Sequence, residues 1–275
     1  MQCPSPISLP HPHGTTPAMR LSVPCGKCVF CLSNKRNDWS FRLNQELKTA
    51  DSAHFITLTY SDETLPLSDG GRPQLSKRDA QLFIKRLRKH QGTGKIRYYL
   101  VGEYGPKTKR PHYHAIIFNI TPRTILYLED IWQHGNIQVG TVKPASIHYV
   151  TKYVLNKYDD FQGLEKPFSL MSTSPGLGKN YLTRTKHWHL NNENYYVISE
   201  NGTKQKLPRY YRDKLFTEKQ KLAQQEKTIE KLDEEFEQLV KEFEKTNQDY
   251  FEVTNLRTQV QKEQITRRNI KSQTI

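Results

Sequence analysis

Two strand-like runs, "KIRYYLVGEY" from Lys95 to Tyr104 and "PHYHAIIF" from Pro111 to Phe118, are joined by only six residues, "GPKTKR". So short a connection leaves no room for a crossover helix, so the two runs are expected to pair as antiparallel neighbours. Alternate side chains of a strand share a face. His112 and His114 therefore project together and Tyr113 points the other way, while the apolar residues 115–118 anchor the strand in a core. Glu103 ends the first run, and the turn carries its carboxylate to the two imidazoles. Glu103, His112 and His114 are thus candidate metal ligands. By ligand type they could take Zn, Fe or Mn, and a phosphate-handling site would use Mg or Mn. The alternative is a pair of hydrogen-bonded histidines at a strand end.

The flanking sequence fits an α+β domain. Ser33–Ala50 places Trp39, Leu43 and Leu47 at helical spacing, with Ser33 as a cap, and "HFITLTY" (54–60) reads as a strand. Ser76 caps "KRDAQLFIKRLRKHQ", in which Ala80, Phe83, Ile84 and Leu87 line one face; Gly92 ends it. A helix "TPRTILYLEDIW", a strand "NIQVGTV" and a helix "PASIHYVTKYVLNKY" follow. The order predicts an antiparallel central sheet with flanking helices. The expected divisions are a proline-rich, irregular arm over 1–32, a core over 33–160, an accessory segment over 161–212 and a charged helical tail over 213–275. "STSPGLGKNYL" reads as a glycine turn, either an ordinary loop or a phosphate contact. In the tail, Leu215, Leu222, Ile229, Phe236, Phe243 and Tyr250 recur every seven residues, joined by Leu232 and Leu239. Glu218, Gln225 and Thr246 interrupt the second seam position, which favours one long helix folded on its own body, and a monomer, over a dimeric coiled coil.

Charge narrows the partner. Residues 213–275 carry 12 Lys and Arg against 13 Asp and Glu, so the net +14 of the chain resides on residues 1–212. A basic body with 15 Tyr and 11 Phe suits a nucleic acid, whose backbone is anionic and whose bases stack on rings. Lys85, Arg88, Lys89, Lys109 and Arg110 are the candidate DNA contacts. No run approaches the ~18 apolar residues of a membrane span, and the start lacks a signal-peptide core. The expected location is the cytoplasm, with no membrane partner.

Tyr149 and Tyr153 lie four residues apart on one helix face, away from the stripe of Ile147, Val150 and Val154. Two phenols beside Lys152 suit nucleophiles that need a cation or metal to favour phenolate; covering a neighbouring loop is the plainer role. "FITLTY", "GEYGPKTKRPHYHAIIF" and "YVTKYVLNKY", in this order and separation, closely resemble the three motifs of rolling-circle replication initiators of the HUH endonuclease superfamily. "VPCGKCVFCLSNKRNDWSFRL" and "PGLGKNYL" look like those of initiators from small single-stranded DNA phages of the Microviridae, the gokushovirus-like group. The resemblance runs from about Val23 to Tyr181 and leaves out the arm and tail. It implies an RRM-related HUH fold with Mg or Mn on Glu103, His112 and His114. It also implies attack by Tyr149 or Tyr153 on an origin strand, giving a 5′-phosphotyrosine link and a 3′-OH for a host polymerase, with strand rejoining at the end of the cycle. Lys152 matches the motif lysine, and a host helicase is implied as a partner.

Cys25, Cys28 and Cys31 form CxxCxxC, a candidate structural zinc site for which Cys3, His11 or His13 could supply the fourth ligand. Three reduced thiols packing the arm are the other reading, and a disulfide does not suit a reducing cytosol. The rival to a nicking and joining enzyme is a non-catalytic, zinc-containing nucleic-acid-binding protein.

Overall fold

The computed structural model describes residues 3–10, 20–152, 161, 163–199, 202–246 and 249–271. In chain order it contains β1 (Ile7–Pro10), β2 (Arg20–Val23), α1 (Val29–Leu47), β3 (Ala53–Thr59), α2 (Lys77–Gln91), β4 (Arg97–Tyr104) and β5 (Pro111–Phe118). Then come α3 (Pro122–Ile125), α4 (Leu128–Trp132), β6 (Ile137–Thr141), α5 (Pro144–Lys152), β7 (Phe168–Met171) and α6 (Asn180–Asn191). The remainder is β8 (Tyr196–Ile198), β9 (Lys204–Lys206), α7 (Arg209–Leu215), α8 (Glu218–Lys245) and α9 (Tyr250–Lys271). These form two compact units, Lys35–Arg184, and Met1–Asn34 with Thr185–Ile275.

The unit Lys35–Arg184 is built on an antiparallel five-stranded sheet in the order β6-β3-β5-β4-β7. The expected antiparallel pair is present as β4 and β5, and the register sets Glu103 directly opposite His112. Strand β7 was not expected from the sequence; it extends the sheet beyond β4, pairing Tyr99 with Met171 and Gly102 with Phe168.

Period-two alternation divides the sheet into two cores. On one face, Ile56, Leu58, Leu100, Tyr113, Ala115 and Ile117 pack against Ala80, Phe83, Ile84 and Leu87 of α2 and against Leu128, Ile131 and Trp132 of α4. Ser76 accepts from the Asp79 amide as N-cap, and Gly92 closes α2 at φ 70°. The Tyr113 hydroxyl lies 2.7 Å from that of Tyr60 and 2.9 Å from the Ser76 amide, which pins β5 from behind. On the other face, Tyr99, Val101, Ile116 and Phe118 pack against Leu43 of α1 and Ile147 and Val150 of α5. The hydroxyls of Ser40 and Thr151, 2.9 Å apart, join these two helices.

The expected helix over 121–132 is instead two short ones, capped by Thr121 and broken at Leu126–Tyr127. The break leaves Leu126 82% exposed while Leu128, Ile131 and Trp132 turn inward, and the Trp132 indole donates to the Thr59 carbonyl at 2.9 Å. α1 begins at Val29 rather than after Ser33, which is buried inside it.

A buried ion pair fastens α1 to the sheet: Arg97 on β4 donates to both carboxylate oxygens of Glu46 and to the Pro175 carbonyl. The Gly178 amide, in the glycine turn, also donates to Glu46, at 2.6 Å. Glu46→Ala would leave the Arg97 guanidinium buried without its counter-charge. The expected loss is about 3–5 kcal/mol of unfolding free energy, read as a lower urea midpoint at unchanged slope.

In the other unit, residues expected to be irregular form a ribbon, β1 paired antiparallel with β2. The sheet hydrogen bonds supply partners that prolines elsewhere in the arm cannot. The single long tail helix is corrected to two. A continuous helix would set Tyr250 about 21 Å from Phe236, yet their rings lie 5.2 Å apart, and Tyr250 also meets Phe243 at 5.6 Å. Thr217 and Gln220 form a capping box at the head of α8, and Thr246 ends it.

Candidate metal centre and the residues around it

Glu103, His112 and His114 converge on the α1/α5 face of the sheet. Glu103 Oε1 lies 2.9 Å from His112 Nε2 and 3.1 Å from His114 Nε2. Two donors at right angles around an octahedral ion, each about 2.1 Å from it, stand about 3 Å apart. The spacing and the mixed N/O donor set therefore fit a divalent ion with open positions.

The outer nitrogens are held as well. His112 Nδ1 donates to the Arg110 carbonyl at 3.2 Å, and His114 Nδ1 is 3.0 Å from Thr57 Oγ1. A carbonyl can only accept, whereas a threonine hydroxyl can donate or accept. Thr57 can thus serve either tautomer of His114, including the one whose Nε2 lone pair is turned toward a metal. Phe55, also on β3, stacks on His114 with centroids 5.5 Å apart.

Burial opposes the Glu103 carboxylate, but hydrogen bonds from His112 and His114, and their charge, outweigh it and hold its pKa below the ordinary value. Burial likewise opposes charge on His112, yet the carboxylate and the Arg110 carbonyl raise its pKa. His114 moves the other way: burial dominates, with His112 and Lys152 adding to it, and its pKa falls. Without a metal, the proton that draws these groups together sits on His112. Thr57→Val removes the one group able to adapt to the His114 tautomer. It is expected to weaken Mn²⁺ binding about 10- to 100-fold, measured by titration calorimetry.

α5 brings Tyr149 and Lys152 to the same pocket. The Tyr149 hydroxyl lies 3.5 Å from His114 Nε2, and Lys152 Nζ stands 4.9 Å from the Tyr149 ring centroid. Lys152 is only 3% exposed, and burial lowers its pKa against the pull of Glu103. Tyr149 is less clear of the core than its helical position suggested, because its ring packs on the Ile147/Val150 cluster and meets Phe55 edge-on at 6.0 Å. Tyr153 lies outside the described residues, as do His11 and His13.

The candidate DNA contacts separate. Lys85, Arg88 and Lys89 are exposed on α2, which covers the sheet face opposite the metal ligands. Lys109 is exposed in the β4–β5 turn. Arg110 is engaged within the chain, 2.7 Å from Asp62 Oδ1 and donating to the Tyr60 carbonyl at 2.8 Å. Thr57 and Phe55 were not singled out in the sequence; only the β3–β5 register, pairing Thr57 with His114, reveals them. Cys25, Cys28 and Cys31 gather with Cys3 in the other unit.

The fold and site define an α+β protein with a candidate divalent-metal centre on an antiparallel sheet, flanked by a helix-borne tyrosine and lysine. Residues 53–158, a span from β3 through α5, match the model of a family described as replication-associated proteins of the ORF2 type. Over 217 residues the chain is 34% identical to replication-associated protein VP4 of Bdellovibrio phage phiMH2K, an alignment covering 70% of this chain and 67% of the relative. It is 31% identical over 215 residues to replication-associated protein ORF2 of Spiroplasma virus 4, covering 69% and 66%. With replication-associated protein ORF4 of Chlamydia phage 1 it shares 28% over 221 residues, 70% of this chain and 53% of that protein. No solved structure matches. The chain belongs to this family of phage replication-associated proteins. No helix among the described residues is long and apolar enough to cross a membrane.

Proposed function

We propose that the chain is an HUH-type endonuclease and strand transferase. It would nick a single-stranded or melted replication origin of a small single-stranded DNA phage in the host cytoplasm and later rejoin the strand. The observation that carries this reading is the 3.5 Å approach of the Tyr149 hydroxyl to the Nε2 of a candidate metal ligand.

Glu103, His112 and His114 would hold Mg²⁺ or Mn²⁺, which when bound supplies Lewis-acid polarisation of the scissile phosphate. Tyr149 Oη attacks the phosphorus. A bond forms from the phenol oxygen to phosphorus, the P–O3′ bond breaks, and the departing 3′-oxygen leaves as a free 3′-OH. The 5′-phosphate remains esterified to the tyrosine, so the phosphodiester energy is conserved for rejoining without ATP. Lys152, a cation beside the phenol, favours its ionised form. Thr57 and the Arg110 carbonyl orient the imidazoles, and Phe55 fixes the His114 ring plane. A second cut by Tyr153 would release the copied strand, and a host polymerase and helicase would extend and open the duplex between the two events.

The test is direct. Labelled oligonucleotides tiled across the phage genome that encodes the chain are incubated with it and Mn²⁺ or Mg²⁺. One oligonucleotide is expected to yield a protein–DNA adduct that survives denaturing gels and disappears with EDTA. Retarded DNA with no denaturation-stable adduct on any tile would instead mark a non-catalytic nucleic-acid-binding protein.

A further inference from the structure

We propose that Cys3, Cys25, Cys28 and Cys31 form a four-thiolate site for one structural zinc ion that ties both feet of the β1–β2 ribbon to the first turn of α1. The four Sγ atoms lie within 4.8 Å of one another. Cys3 and Cys28 are 3.8 Å apart and Cys25 and Cys31 4.0 Å. A tetrahedral ion with Zn–S bonds of about 2.3 Å holds its sulfurs about 3.8 Å apart, so the sulfurs already stand at nearly the edges such an ion requires. They are far beyond the ~2.05 Å of a disulfide, and all four cysteines are free.

The backbone is folded for thiolates. Amides of Lys27 and Cys28 point at Cys25 Sγ (3.5 and 3.3 Å), that of Cys31 at Cys28 Sγ (3.4 Å), and that of Cys25 at Cys3 Sγ (3.4 Å). Gly26 makes the turn at φ +71°, a conformation that L side chains rarely adopt. These N–H groups stabilise negative sulfur, the state in which cysteine binds metal. Thiolates select zinc over the Mg²⁺ or Mn²⁺ suited to oxygen-rich sites.

The placement explains how the ribbon stands. Ile7 pairs with Val23, so Cys3 and Cys25 flank the same open end of the hairpin. Every residue of β1 is exposed. A two-stranded ribbon of this length, with no core beneath it, is marginal in water by itself. Zinc bound at its feet would contribute its binding free energy to folding, and Cys28 and Cys31 would pass that anchor to α1.

The experiment uses the full chain, purified without chelators, beside a His112→Ala/His114→Ala variant that lacks the other metal donors. Elemental analysis is expected to find one zinc per chain in the variant, and Cys25→Ser/Cys28→Ser added to it should remove that zinc. X-ray absorption at the zinc edge should show four sulfurs at about 2.3 Å, falling to three in Cys3→Ser. Capping thiols of the unsubstituted chain with a mercurial should release one zinc, a readout that does not depend on any variant folding. Iron in place of zinc, a three-sulfur shell in the unsubstituted chain, or no zinc released on capping would each overturn the proposal.

Discussion

Tyr149→Phe/Tyr153→Phe is expected to abolish the covalent protein–DNA adduct, a fall on the order of 10⁴-fold or more in nicking, with DNA affinity changed by less than about twofold. Phenylalanine keeps the ring that packs on Phe55 and the Ile147/Val150 cluster, so α5 should stay seated while the attacking oxygen is lost. Tyr149→Phe alone separates the roles: first-strand cleavage should fall by a comparable factor if Tyr149 opens the cycle. The comparison needs a binding assay beside the adduct assay, because loss of both would report a displaced helix rather than a missing nucleophile. An adduct persisting in the double variant would remove both tyrosines from the chemistry.

The parts of this arrangement that were legible in the sequence are those set by short-range periodicity. Alternation in "PHYHAIIF" gave β5 its bounds and put His112 and His114 on one face, and the six-residue turn brought Glu103 opposite. Apolar spacing between a serine cap and a glycine stop likewise defined α2. Long-range choices were not legible. Thr57 joins His114 only through the β3–β5 register, and nothing within α2 states which sheet face it covers, so its basic residues were grouped with a site on the other side. β7 is a four-residue edge strand, too short to impose a pattern. The true start of α1 was hidden for another reason: it lies within CxxCxxC, where the thiol cluster and not a serine cap organises the first turn.

Glu103→Gln isolates the contribution of the carboxylate charge. The amide is nearly isosteric and can still accept a hydrogen bond from one imidazole, but it is a neutral and poor ligand that no longer offsets a divalent charge in a buried pocket. Metal-dependent nicking is expected to fall about 10³-fold, a loss of about 4 kcal/mol of transition-state stabilisation. Binding gives an independent reading. A ligand at 100 times its Kd stabilises the folded state by about 2.7 kcal/mol, which for a domain of this size raises Tm by about 5–10 °C. Mn²⁺ should produce that rise in the unsubstituted chain and none in Glu103→Gln. Mn²⁺ is the ion to use because the thiolate cluster prefers softer metals, so a shift reports on the imidazole–carboxylate site. If Glu103→Gln keeps both the Mn²⁺-dependent rise and the nicking rate, Glu103 is not a ligand, and the two histidines must draw their third donor from elsewhere in the chain.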